Sequence, residues 1–246
     1  MIVEIGRQLP SLMYAEWLKI KGSNSLPLIF VSPLLAALAG YFSMFDFGTN
    51  QWIDPYFAMV MIHAVLFLPL LAGIFTASVC RYEHDQGGWK QIMSMPVRRE
   101  AIYLTKFITV LLIIAATQLL FFVGLLGVGS IHGFTDPFPW SLILTRVFMG
   151  WLACIPLVTL QLWFSTAWAS FAAPVALNVI FTLPNIMVAN SEKFGPWYPW
   201  AQPFLGMILG GEGDIFYSTE TLIIVIVGGS ILLLCGGLLY IRNKSW

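Results

Sequence analysis

Apolar residues in this chain gather into long runs separated by short polar breaks, instead of alternating or marking one face of a helix. A segment needs about 20 mostly apolar residues to cross a hydrocarbon core of roughly 30 Å. By that measure six spans are predicted, over residues 26–45, 56–79, 105–129, 141–164, 170–188 and 222–241. The stretch Ser165-Thr166-Ala167-Trp168-Ala169 between the fourth and fifth carries no charge, so one long bent helix and a tight hairpin both fit there. Before the first span, Leu9, Met13, Trp17 and Ile20 recur at helical spacing, with Ser11, Glu16 and Lys19 on another face. That pattern predicts an amphipathic helix lying in the membrane interface, Trp17 at headgroup depth and the lysines in water. Gly22-Ser23-Asn24-Ser25 then turns the chain toward the membrane.

Composition agrees with the pattern. With 59% hydrophobic and 10% charged residues over 246 positions, the chain is too apolar for an ordinary soluble domain. The expected fold is all-α and polytopic, one membrane domain made of an interfacial helix and turn (1–25), a six-span bundle (26–241) and a short tail (242–246). The N-terminal segment has charges where a cleavable signal peptide needs an apolar core, so it is expected to stay in the mature protein. Twelve basic and twelve acidic residues balance, which points to neither a nucleic-acid surface nor an acidic tail.

Charge placement sets the expected orientation. With the N-terminus inside, ten of the twelve Lys and Arg residues fall on the cytoplasmic side, leaving Arg146 and Lys193 toward the outside. Both termini are therefore expected in the cytoplasm, with Arg146 snorkelling outward. The outer segment 190–221 is unusually apolar and aromatic. A short helix dipping into the outer leaflet is expected there, with Trp197, Tyr198, Trp200 and Phe204 as an aromatic border or substrate region.

Catalytic chemistry finds little support. The chain has no GxxxxGK[ST] phosphate loop, no HExxH pair and no GxSxG elbow. Adjacent Glu83, His84 and Asp85 point in different directions on a helix, and Cys80, Cys154 and Cys235 are too widely spaced for a metal signature or a disulfide framework. No catalytic, cofactor-binding or metal-ligating residue is assigned. His63, Gln118, Gln161 and Asn178 are polar positions inside spans, and none carries the central acidic charge that proton-coupled carriers use. Pro69, Pro156, Pro174 and Pro184 are expected to kink or break their spans.

The longest hydrophilic interruption follows the second predicted span. Its pattern of Glu83, Gly87-Gly88-Trp89-Lys90, Pro96, Arg98-Arg99 and Lys106 resembles the permease subunits of type-2 ATP-binding-cassette (ABC) exporters, especially the lantibiotic-protection and bacitracin-resistance group. Glu16-Trp17-Leu18-Lys19, the six-span count and the Trp197-Tyr198-Pro199-Trp200 segment extend the similarity over most of the chain. The resemblance implies a coupling helix over 89–95 that docks on a separate ATPase, with Trp89, Ile92 and Met93 as apolar contacts, Lys90 as a polar edge and Met95 at its end. Gly87 and Gly88 free the chain to turn, Pro96 stops the helix and Glu83 pairs with a basic residue at the base of the spans. It further implies a noncatalytic subunit in a bacterial plasma membrane, two permease copies or paralogues, and ATP and Mg bound only by the partner ATPase subunits. The cargo would be an amphipathic peptide or peptide antibiotic. A secondary carrier or channel, and a membrane assembly or sensory protein, are the competing classes.

Overall fold

The computed structural model describes residues 2–43, 50–208 and 219–244. Among the described residues it is helical throughout, with no strand. Helix α1 (Ile2–Lys21) lies ahead of α2 (Leu28–Tyr41), and α3 (Ile53–Ile62) passes through a π-helical segment, His63–Phe67, into α4 (Leu68–His84). A 3-10 turn (Asp85–Gly87) leads to the short α5 (Gly88–Met93). Next come α6 (Arg99–His132), α7 (Trp140–Ala153), α8 (Ile155–Ala167), α9 (Ala172–Thr182), α10 (Asn185–Ala189), α11 (Gln202–Ile208) and α12 (Thr219–Asn243).

Among the described residues, four helical stretches are long and apolar enough to cross a membrane: Ile53–His84, Arg99–His132, Trp140–Ala167 and Thr219–Asn243. The other two expected spans correspond to shorter helices. Turn hydrogen bonds over residues 23–30 occupy the start of the first, so α2 has only 14 residues, and positions 44–45 of that expectation lie outside the described residues. The fifth is broken at Pro184, which separates α9 from α10 because it cannot donate to a helical carbonyl. Between α8 and α9, Trp168 is extended (ψ 132°), so the chain turns there and does not continue as one bent helix.

Helix α6 is the pillar of the bundle. Arg98 enters it in an extended conformation, and Gly133 ends it at φ +67°, the left-handed stop that glycine supplies without a Cβ clash. Its 34 residues give about 50 Å of helix, longer than the hydrocarbon core. It packs against α1, α2, α4, α7, α8 and α12, while α9 packs on α4 and α11 on α7. Outward faces of α2, α6, α7 and α12 carry exposed apolar side chains such as Leu34, Leu119, Phe148 and Ile224, a surface suited to acyl chains.

The proline positions show how broken helix is mended. Pro69 has no N–H for the Val65 carbonyl, and Asn185 Nδ2 donates to that oxygen at 2.6 Å. Asn178 Nδ2 donates to the Pro69 and Leu70 carbonyls at 2.9 and 3.3 Å. Its Oδ1 accepts from Gln161 Nε2 at 3.0 Å and from the Trp200 indole at 2.7 Å. Asn178 therefore ties α4, α8, α9 and the segment before α11 together. Gly73 makes this possible, because a Cβ there would overlap the Asn178 amide. A second neutral seam joins Ser32, His63 and Gln118: the Ser32 hydroxyl lies 2.6 Å from His63 Nδ1, and His63 Nε2 lies 3.2 Å from Gln118 Oε1.

Candidate functional site: a buried ion network beneath the α5 turn

The charged residues singled out around the α4–α6 connection converge at one end of the bundle. Lys106 on α6 and Glu83 on α4 are each 1% exposed, and Glu16 on α1 is 5% exposed. Lys106 Nζ lies 2.8 Å from Glu83 Oε2 and 3.1 Å from both Glu16 oxygens, and donates to the Val79 carbonyl at 2.5 Å. Lys106 thus hydrogen-bonds Glu16 and the Val79 carbonyl and forms an ion pair with Glu83. Lys19 Nζ closes the ring, 2.8 Å from Glu16 Oε1 and 2.6 Å from Glu83 Oε1. Two ammonium groups and two carboxylates cancel, which is the condition under which such burial is tolerated.

Helix α5 rests on this network. Gly87 adopts φ +75°, so the chain reverses where an L side chain would be strained. Gly88 then packs on the α4 backbone, where a Cβ would stand 2.9 Å from Glu83 Cα and from the Tyr82 carbonyl. The Trp89 ring faces Lys106, with Nζ 5.9 Å from its centroid. The indole N–H donates to His84 Nδ1 at 3.2 Å. Nε2 of the same ring, 2.7 Å from the Ser165 carbonyl, carries the proton because a carbonyl can only accept. A chain of contacts therefore runs from α5 through α4 to the end of α8.

The loop after α5 is stitched to its neighbours. Gln8 on α1 accepts from the Arg98 N–H at 3.2 Å and donates to the Pro96 carbonyl at 3.4 Å. Arg99 donates to the carbonyls of Arg242 and Lys244 at 3.1 and 2.9 Å, and Lys244 Nζ donates to those of Thr166 and Ala167 at 3.0 and 3.3 Å. Both are cations on helix C-terminal carbonyls, where the helix dipole favours them. Between α1 and α5 lies a cavity of about 330 Å³, walled by Leu12, Ala15, Ile92, Met95 and Val97, with Lys19 and Glu83 among its polar lining.

The structure brings Glu83, Gly87, Gly88, Trp89, Pro96, Arg98, Arg99 and Lys106 together, and redistributes their parts. Trp89, expected as an outward apolar contact, is 4% exposed because its indole has a partner in His84 and its ring covers Lys106. Ile92 and Met93 are half-buried against the core, while Lys90, Gln91, Ser94 and Met95 face outward. Helix α5 stops at Met93, short of the expected 89–95, because Ser94 caps the last turn with its hydroxyl on the Gln91 carbonyl, before Pro96 is reached. Glu16, placed by periodicity on the watery face of α1, points into the bundle, and Trp17 is half exposed. The network exchanges them because Glu16 answers a lysine 90 residues away, a pairing that local spacing does not carry.

At the opposite end the aromatic group divides. Trp197 is exposed, whereas Trp200 and Phe204 are buried and the Tyr198 hydroxyl donates to the Phe181 carbonyl at 2.5 Å. Helix α11 buries Gln202 through Met207 against the protein, with Gly206 against the α7 backbone at Met149, so the short helix expected in the outer leaflet is walled by α7. Arg146 is also buried, its guanidinium 5.7 Å from the Tyr56 ring, instead of snorkelling outward. The acidic outer positions Asp46, Glu212 and Asp214 lie outside the described residues. No group of His, Cys, Asp and Glu with metal-site geometry occurs among the described residues.

Comparison with known families gives one match: the family described as ABC-2 family transporter protein, over residues 12–185. That range contains Glu16, Glu83, α5 and Lys106. No curated protein matches the chain.

Proposed function

The chain belongs to the ABC-2 transporter family, and from that premise we propose that it is the permease half of an ATP-driven exporter that expels amphipathic peptides or peptide antibiotics. In this reading the chain crosses the membrane six times, with α2 and the α9–α10 pair as the two shorter crossings. Both termini, α1 and α5 are cytoplasmic. Two permease copies or paralogues enclose the path, and separate ABC ATPase subunits bind ATP and Mg beneath them.

The observation that carries the proposal is the attachment of α5. A six-residue helix has too few backbone hydrogen bonds to be stable by itself. Here it is fixed by Trp89 to His84 and Lys106, and through Lys106 to Glu16 and Glu83. Force applied to Lys90 and Gln91 on its outward face, or to Met95 just beyond its end, therefore reaches α1, α4 and α6 together. Met95, Ile92 and the α1 wall of the cavity present apolar surface for the ATPase, and Lys90, Arg98 and Arg99 give it a basic border. The π segment His63–Phe67 interrupts the α-helical hydrogen-bond pattern between α3 and α4, as π turns do at many functional sites. Transport follows when cargo affinity differs between the two bundle states.

The test is affinity purification of the tagged chain from its native membranes in nanodiscs, with mass spectrometry and an ATPase assay on what accompanies it. A stoichiometric ABC ATPase, and ATP-dependent uptake of a lantibiotic-type peptide by inside-out vesicles, are expected. Recovery of the intact permease alone, with peptide movement that ignores ATP, would assign it to the independent carriers.

A further inference from the structure

A second cavity, of about 270 Å³, opens where α1 turns into α2. Its polar lining is Ser23, Asn24 and Ser25 from the turn, with Ser78, Arg81 and Asp85 from the end of α4 and the start of the next turn. Ser25 Oγ and Ser78 Oγ share a hydrogen bond of 2.9 Å across it. Ser23 Oγ accepts from the Ser25 N–H at 3.1 Å, and its own proton can be donated to an anion. The wall thus combines hydroxyl donors with one cation and one anion.

The two charges are held loosely. Arg81 Nε and Asp85 Oδ2 are 3.7 Å apart, with side chains 62% and 66% exposed. Exposed pairs of this kind contribute about 0–1 kcal/mol, so a ligand that meets both charges displaces little. The Phe171 ring of the residue before α9 stands 5.5 Å from the guanidinium carbon and steadies the fork from the other side. A ligand with a single net charge meets attraction at one residue and repulsion at the other. A zwitterion whose anion and cation are separated by a short linker meets attraction at both.

We propose that this cavity binds the phosphoethanolamine headgroup of a membrane phospholipid. The phosphate takes Arg81 and the serine hydroxyls, and the primary ammonium donates to Asp85. Arg suits the first role because its fork matches phosphate oxygens. A trimethylated ammonium has no proton to donate to Asp85, and a glycerol headgroup has no cation. The lipid, not free phosphoethanolamine, is the source because the turn leads directly into α2, whose exposed Phe30, Leu34 and Leu38 form an apolar strip that acyl chains cover.

The experiment is native mass spectrometry of the full-length protein released from nanodiscs holding equal amounts of phosphatidylethanolamine, phosphatidylcholine and phosphatidylglycerol with the same acyl chains. Wild type should retain phosphatidylethanolamine about tenfold over the other two, one good charge-assisted contact's worth of discrimination. Asp85→Ala, which removes both the charge and the hydrogen-bond acceptor, should bring phosphatidylethanolamine and phosphatidylcholine to parity, and Arg81→Gln should reduce retention of all three. Both are exposed positions, and a monodisperse elution profile confirms folding. Millimolar soluble phosphoethanolamine should leave the bound lipid in place. Preference for phosphatidylglycerol, unchanged discrimination in Asp85→Ala, or displacement of the lipid by the soluble headgroup would overturn the proposal.

Discussion

Two buried polar clusters organise this bundle, and they solve the same problem with different chemistry. Beneath α5, four full charges sit in a closed ring in which every carboxylate meets two ammoniums. Around Asn178, at the α4–α9 contact, only neutral amides and an indole are used: Gln161 and Trp200 donate to Asn178, Asn178 donates to the Pro69 and Leu70 carbonyls, and Asn185 donates to the Val65 carbonyl that Pro69 leaves without a donor. The difference is one of energetic scale. An unpaired charge in low dielectric costs several kcal/mol, so the ion ring tolerates no missing member, whereas an amide network loses its hydrogen bonds one at a time. The first arrangement fixes four elements as one body. The second ties α4, α8, α9 and the segment before α11 together through hydrogen bonds alone.

The sharpest way to break the comparison is Lys106→Met, which leaves Glu16 and Glu83 facing each other with only Lys19 between them. A loss of about 3–5 kcal/mol is expected, read as a lowered unfolding temperature in detergent. Adding Glu83→Gln to it should recover part of that loss, since the remaining Glu16–Lys19 pair is neutral; a strictly additive double mutant would mean that the ring does not act as a unit. Asn178→Ala should cost less, about 2–3 kcal/mol, because it strands the Gln161 and Trp200 donors and the Pro69 carbonyl but no charge. Gly73→Ala attacks the same seam by overpacking, at about 1–3 kcal/mol, because the added methyl meets the Asn178 side chain from its amide down to its Cβ. The smallest effect, about 1 kcal/mol, is expected from Gly87→Ala, which strains one left-handed residue at the start of α5. Thermal unfolding ranks all of these on one scale.

How much of this was legible in the sequence follows the range of the interactions. Long apolar runs marked α12 to within three residues at each end, and the core of α6, which begins at Arg99, six residues before the expected 105, and ends at His132, three beyond the expected 129. Pro69 and Pro184 correctly marked disturbed helix, and Gly87 the turn, because those residues restrict or free the backbone wherever they stand. What periodicity cannot carry is a preference set by a distant partner. Glu16 looked solvated because α1 by itself has no Lys106, and Trp89 looked like a contact residue because nothing local announces His84 as the acceptor for its indole. Arg146 and Phe204 were misplaced for the same reason, as helices remote in sequence cover them. Glu83 and Lys106 were read in one cytoplasmic pattern, with Glu83 expected to meet a basic residue, whereas Glu16 and Lys19 were assigned to the surface of α1 and not to the same group.

The most direct measurement of the central claim is hydrogen exchange at the α5 amides, residues 88–93, in wild type, Lys106→Met and Asn178→Ala in nanodiscs. If the ion ring fixes α5 to the bundle, Lys106→Met should abolish protection in α5 although residue 106 lies on another helix, and Asn178→Ala should leave it unchanged. Equal α5 protection in wild type and Lys106→Met, or an equal loss in both variants, would contradict the account.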